Sequence, residues 1–347
     1  MKYSRVFLDA IGYELAPVVV SSTELEARLA PLYQTLHIAE GQLEALTGIV
    51  ERRWWEPDFA LSQGALAAAR MALANANVAP DHIGAVIYAG VCRENFEPAT
   101  ACRVAAGLGV SPSAAVYDLS NACLGVLNGI FDIANRIELG QCRAGLVASC
   151  ESARDINEAT IARLLDDRSM ERFKSSLATF TGGSGAVAVL VTDGSFNSVK
   201  GRQLLGGVTR AAPQHNGLCR WGLEGSLSTA VTQFMTTDAA AVLKYGVELG
   251  RRTWEAFLDN LGWASGQVDK VICHQVGAGH RDAILQTLGI ALEKDFSTFP
   301  YLGNIGTVSL PLTAALADER EFLRPGDRVG FLGIGSGLNC LMLGLQW

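Results

Sequence analysis

Short apolar runs recur along this chain, and each is too short to cross anything but a protein core. GAVIYAGV (84–91), AGLVASC (144–150), GAVAVLVT (185–192), KVICHQV (270–276), RVGFLGI (328–334) and LNCLMLGL (338–345) are near-continuous in apolar residues and partly β-branched. Such runs suit strands covered on both faces, because neither set of alternating side chains is polar. Between them lie Ala/Leu-rich stretches of helical periodicity, 58–76 and 235–262, the second with Thr237 and Asp238 as candidate N-caps. Strand and helix in this alternation define an α/β fold with mixed sheets.

The same succession occurs twice. DHIGAVIYAG, AVYDLSNACLGVLNGIFDIANRI and CRAGLVASCES in the first half are echoed by GQVDKVICHQ, STFPYLGNIGTVSLPLTAALADE and GDRVGFLGIGSG in the second. Each set reads strand, strand-turn-helix, strand. Superposing the two sets places Cys123 opposite Asn304, with His274 ending the strand that matches GAVIYAG. The expected division is an N-terminal half, 1–195, carrying the cysteine, and a C-terminal half, 196–347, carrying the histidine and asparagine. Residues 152–182 read as a polar surface excursion, and 206–222 as a loop near a site entrance.

Composition narrows the function. A net charge of −7 and the lack of a dense basic run argue against nucleic-acid binding. No apolar run approaches the ~20 residues of a membrane span, and the N-terminal residues lack a signal-peptide pattern. The eight cysteines are scattered with no CxxC pair, which points to free thiols in a reducing cytoplasm and away from a zinc ribbon.

Three residues carry candidate chemistry. Cys123, in YDLSNACLGVLNGI, falls where a strand gives way to a helix, and Ser120, Ala122 and Gly125 leave room around it. A helix N-terminus favours a thiolate, although a buried inert thiol is the commoner role of a cysteine. His274-Gln275 ends an apolar strand, and Asn304 sits between Gly303 and Gly306 at another strand-to-helix turn; a core imidazole and a turn-forming asparagine are the alternatives. GIGSG (333–337) lies too near the last strand to open a dinucleotide-binding unit, and its backbone N–H groups suit an oxyanion. GxSxG, GxxxxGK[ST] and HExxH are all missing.

DLSNAC, HQ, GNIG and GIGSG, in that order and together with TGIVERR (47–53), resemble the thiolase superfamily, and within it the β-ketoacyl-ACP synthase III-like condensing enzymes. The resemblance spans essentially the whole chain. It implies two βαβαβαββ-like halves stacked in five layers, α-β-α-β-α, and a homodimer. It also implies that Cys123 takes an acyl group from acyl-CoA, with the N–H groups of Cys123 and Ile334 holding the oxyanion. His274 and Asn304 then bind the carbonyl of the second thioester. Neither a metal nor a redox cofactor is implied.

Two departures from the family pattern matter. After His274-Gln275 the run is Val276-Gly277-Ala278-Gly279, without the arginine that serves acyl carrier protein. The usual CoA-adenine clamp is out of register, which leaves Arg52, Arg53, Arg210 and Arg220 as candidates for CoA. Glu97, before Pro98, replaces an aromatic residue that reaches into the partner's acyl pocket. The condensing enzymes of head-to-head olefin synthesis are similar here, and resemble this chain in GGVTRAAPQHNGLCR and GIGSGLNC; in them the glutamate is a base. The leading expectation is decarboxylative condensation of a medium or long acyl-CoA with malonyl-ACP or malonyl-CoA. The alternative joins two acyl-CoAs with Glu97 as base, since a plain acyl thioester must lose an α-proton. A non-catalytic acyl-binding subunit is the third reading.

Overall fold

The computed structural model describes residues 1–196, 201–225 and 231–347. Its main sheet has nine strands: β1 (Phe7–Leu15), β2 (Ala85–Ala89), β3 (Ala115–Leu119), β4 (Ala144–Glu151), β5 (Gly185–Thr192), β6 (Arg202–Ala211), β7 (Lys270–Cys273), β8 (Arg328–Gly335) and β9 (Asn339–Gln346). The order is β7-β8-β9-β6-β1-β5-β4-β2-β3. Read outward from the β1/β6 seam, the two sides follow one plan. β1-β5-β4-β2-β3 is matched by β6-β9-β8-β7, and an isolated parallel bridge between Val271 and Asp295 stands where β3 would. Both sides combine parallel outer pairs, β2 with β4 and β7 with β8, with antiparallel pairs nearer the seam. The seam itself is narrow, with Phe7 opposite Gln203 and Leu8 opposite Arg202.

Helices sort into three layers by what they bury. α1 (Leu61–Ala76) and α2 (Thr100–Leu108) share a core with β2, β4 and β5 through Ala68, Ala72, Val104, Val86 and Ala188. α4 (Ala239–Leu261) and α5 (Ala278–Leu288) cover the other side through Leu249, Phe257 and Leu285, against Val271 and Met342. α3 (Gly125–Glu138) and α6 (Ser309–Glu319) fill the middle. Their Val126, Ile130, Leu312 and Leu316 belong to one cluster with Val147 and Val187 of the first half and Ile272, Phe331 and Leu343 of the second. Leu310 to Ala317 are all buried, which an α-helix permits only when it is enclosed on every side. The result is the five-layered α-β-α-β-α arrangement of the thiolase fold. Each fully buried aliphatic side chain in it is stabilising by about 1.5–3 kcal/mol.

Some sequence expectations need correction. Residues 152–182 are not a surface excursion. Arg154–Asp166 and Met170–Ser176 are helices, and Ile161, Leu164, Phe173 and Phe180 are buried in a cluster with Leu25, Leu32 and Trp54. Polar composition misled because only one face of each helix is apolar. Residues 206–211 belong to β6, so only the later part of 206–222 is loop or hairpin. The N-cap of α4 is Asp238, whose Oδ1 accepts from the Ala241 N–H at 3.0 Å; Thr237 ends a hairpin strand, Thr232–Thr237, paired with Cys219–Glu224.

Candidate active site

The parallel strands deliver their C-terminal ends to one place, as open α/β sheets generally do. A cavity of about 1010 Å³ lies there, lined by Cys123, Glu151, His274, Asn304, Ile334 and Ser336 among others. Cys123, His274 and Asn304, far apart in sequence, are thus brought together.

Cys123 sits on a 3₁₀ turn, Ala122–Leu124, that leads into α3. Ala122 is held at φ 44°, a left-handed conformation that costs a β-carbon residue of order 1 kcal/mol. Burial raises the thiol to about 12, with the negative side of Cys219 and Glu151 acting in the same direction. The thiolate that a helix start was expected to favour is therefore not the resting form. Desolvation outweighs the one backbone hydrogen bond that favours the thiolate, that of Cys123 itself.

His274 follows the end of β7 and is 9% exposed. Its N–H donates to the Leu332 carbonyl at 3.0 Å. Burial, with His280 adding to it, lowers its imidazole to about 4, so the ring is neutral at physiological pH. A neutral ring with one N–H suits donation to a carbonyl oxygen. Among the described residues, Nδ1 is buried without a partner, as is Nε2 of His280, which lines the same cavity.

Asn304 is clamped by its backbone. Its N–H donates to the Thr181 carbonyl at 2.8 Å, and its carbonyl accepts from Gly183 N–H at 2.9 Å. Its Oδ1 accepts from Gly306 N–H at 3.0 Å, which fixes the amide so that Nδ2 is the free donor. Gly303 makes this turn possible. It has φ 69°, and a β-carbon there would lie 2.5 Å from the Thr181 carbonyl oxygen.

The glycine turn reaches the cysteine. A β-carbon on Gly335 would stand 3.4 Å from the Cys123 amide nitrogen. Leu332 accepts from His274, so strand alternation turns the Ile334 N–H to the same side as that carbonyl, and Ser336, the first residue of the turn after β8, lines the same cavity. Ser336, which sequence reasoning passed over, therefore joins Ile334 as a candidate donor.

The arginine candidates separate. Arg52 is fully buried. It donates to Ser22 Oγ at 3.0 Å and to the carbonyls of Phe180 at 3.1 Å and Val20 at 3.4 Å. Burial lowers its guanidinium to about 10, still charged at neutral pH. Its role is structural, behind the Asn304 turn, because no part of it is open to a ligand. Arg53 donates to the Ala16 carbonyl at 3.3 Å and is absent from the cavity wall. Arg210 is exposed near the end of β6, also off the cavity wall. Arg220 alone of the four lines the cavity, at 5.4 Å over the Phe234 ring.

Glu97 is exposed, next to Phe96 at 94% exposure, and does not line this chain's cavity. Arg103, a few residues on, pairs with Glu94 at 2.9 Å. Glu151, which sequence reasoning missed, closes β4 inside the cavity wall with 3% exposure. A charged residue ending an otherwise apolar strand, AGLVASCE, was the available signal.

This fold with a Cys–His–Asn cavity defines a thioester-condensing acyltransferase. The chain belongs to the ketoacyl synthase III-like condensing enzymes of the thiolase superfamily. The family described as 3-oxoacyl-[acyl-carrier-protein] synthase III, C terminal, matches residues 258–347. Acyl-CoA:acyl-CoA alkyltransferase of Shewanella oneidensis is 61% identical over 349 aligned positions, covering 100% of both chains. The Streptomyces coelicolor β-ketoacyl-[acyl-carrier-protein] synthase III 3 is 30% identical, over 98% of this chain and 96% of the other. Cerulenin-bound OleA of Xanthomonas campestris superposes with a TM-score of 0.93 at 36% identity, covering 100% of this chain and 98% of that one. No helix among the described residues is long and apolar enough to cross a membrane.

Proposed function

We propose that the enzyme joins two acyl-CoA molecules head to head, without decarboxylation, in a homodimer whose partner copy supplies Glu97. The observation that carries this reading is that Phe96 and Glu97 are exposed and off the wall of their own chain's cavity, which already holds Cys123, His274 and Asn304. A glutamate exposed on one copy is free to enter the other. The 61%-identical relative's name, acyl-CoA:acyl-CoA alkyltransferase, favours two acyl-CoAs over the malonyl partner expected first. A cysteine-to-serine form of X. campestris OleA has been solved with lauric acid and lauroyl-CoA, which supports acyl-CoA as the donor.

The steps balance as follows. Cys123 loses its proton as its sulfur attacks the first acyl-CoA, the C–S bond to CoA breaks, and CoA leaves as the thiol. The oxyanion forms between the Cys123 N–H and the Ile334–Ser336 backbone. The second acyl-CoA places its carbonyl oxygen on His274 and Asn304 Nδ2. The partner's carboxylate removes the α-proton, and the two donors stabilise the enolate as its charge develops. The enolate carbon attacks the acyl-Cys carbonyl. The C–S bond to Cys123 breaks, and the thiolate recovers a proton to leave a 3-oxoacyl-CoA. Neither a metal, a redox cofactor nor acyl carrier protein takes part in this scheme, and Arg220 at the mouth is the candidate contact for CoA.

Incubation with myristoyl-CoA alone tests the proposal. A 3-oxoacyl product is expected from wild type, and Glu97→Ala should still gain the acyl mass on Cys123 while losing the product. Product formed only when malonyl-ACP is added would overturn it, as would full activity in Glu97→Ala.

A further inference from the structure

Glu151 is a buried carboxylate that the scheme above does not use, and its surroundings say what it does. Oε1 accepts from the Val91 N–H at 2.9 Å and Oε2 from the Cys92 N–H at 3.0 Å. Burial pushes the Glu151 carboxyl up, and the backbone of Val91, Cys92 and Thr307 acts against that shift. Thr307 Oγ1 in turn accepts from Val126 N–H at 2.7 Å, in the first turn of α3 beside Cys123. One carboxylate therefore ties together three segments. The first runs on from β2 through Val91 and Cys92 to Glu97, the second is the turn from Asn304 to Thr307, and the third is the helix start behind Cys123. The fit is close on two sides, because β-carbons added at Gly90 and Gly306 would lie 3.3 and 3.4 Å from Oε1.

A carboxylate in this place has a chemical disadvantage. It lies near enough to Cys123 to oppose thiolate formation. Both its oxygens are engaged by backbone donors, so it is badly placed to take a substrate proton. A carboxyl group kept beside the nucleophile, with both oxygens held by backbone donors and neither free to act as base, points to a role in holding geometry.

We infer that Glu151 is a positioning residue that sets the loop leading to Glu97 and the Asn304 turn in fixed register with Cys123. The inference rests on the proposed role of Glu97, because the loop matters to the reaction only if it carries the base. An amide in place of the carboxylate keeps one acceptor oxygen and loses the other with its charge, so one of the two loop contacts fails. A shorter carboxylate keeps the charge and withdraws it from the loop.

Glu151→Gln and Glu151→Asp separate these effects when acylation and condensation are measured apart. Acylation is followed by the mass added to Cys123 from myristoyl-CoA, and condensation by 3-oxoacyl product from the same substrate. Both variants should acylate within about threefold of wild type and condense at least tenfold more slowly. Iodoacetamide labelling of Cys123 at pH 8 gives a second readout. Glu151→Gln should be labelled at least threefold faster, since Cys219 is then the one remaining group raising the thiol electrostatically, and Glu151→Asp should be labelled at close to the wild-type rate. A merely structural residue would slow acylation and condensation together, and that result would overturn the inference. Condensation at the wild-type rate in both variants would overturn it too. Failure of the underlying reading looks different, because wild type itself would then give no product from acyl-CoA alone.

Discussion

The resting state of Cys123 gives the sharpest quantitative prediction. Its thiol is raised from the usual 9.0 to about 12 by burial and by the proximity of Cys219 and Glu151. At pH 8 about one molecule in 10⁴ then carries a thiolate, against about one in 10 for an ordinary thiol. Reactivity does not fall by the full factor of about 10³, because a more basic thiolate is a better nucleophile. With a Brønsted slope of about 0.45, three pKa units return a factor of about 20. Alkylation of Cys123 by iodoacetamide at pH 8 should therefore run about 50-fold slower than that of a cysteine peptide. The direction with pH follows from the same shift. The group is neutral below its pKa, so log rate should climb with unit slope from pH 7 to at least pH 10 without levelling. Peptide mass spectrometry after timed labelling measures this, with exposed Cys102 reporting access of the reagent to the protein. A plateau between pH 6 and 8, or labelling faster than the peptide, would refute the account and restore the preformed thiolate that a helix start suggests.

Other outcomes follow from the same geometry. Asn304→Ala should leave acylation of Cys123 intact and lower condensation about 10²–10³-fold, the usual loss for one preorganised donor; single-turnover kinetics separates the two steps. Gly303→Ala forces a β-carbon against the Thr181 carbonyl and a positive φ, so a loss of about 2 kcal/mol in urea unfolding is expected, with the Asn304 turn displaced. Arg52→Ala should cost about 2–4 kcal/mol of stability by orphaning buried acceptors, and a folded fraction at low temperature should keep the wild-type KM for acyl-CoA. Arg220→Ala should do the reverse, raising that KM severalfold with no measurable change in unfolding.

What could be read before folding was whatever depends on local pattern. Strand runs such as GAVAVLVT were legible because burial on both faces leaves no polar position in the sequence. The duplicated plan was legible because each half repeats one order of elements, and the observed strand order follows it around the β1/β6 seam. Cys123 and His274 were legible because each follows a strand; Asn304 was legible from its glycine-flanked turn, although a one-turn helix, Phe299–Leu302, and not the expected strand leads into it. The arginines were not. Arg52 and Arg53 are neighbours in a strand whose alternation buries the first completely, and no property of the dipeptide tells which face meets the core. Glu151 stayed hidden for a related reason, since its significance lies in N–H groups of residues 91, 92 and 307, which have no signature of their own. The thiol pKa was misjudged because a helix start is local, whereas desolvation is a sum over everything packed around the sulfur.

The shared middle layer has a mechanical meaning. α3 and α6 come from different halves, yet they are buried in one apolar cluster that includes strands of both. A hinge needs a plane along which few contacts are broken, and this cluster offers none between the cysteine-bearing and asparagine-bearing halves. Opening the halves to admit an acyl chain would expose the largest core in the molecule. Substrates must instead enter by the mouth beside Arg220 with the halves held together, and the distance between electrophile and carbanion is set when the protein folds rather than when it binds. The active site behaves as a rigid jig, and any selectivity for chain length is carried by the cavity's lining and not by closure of one half on the other.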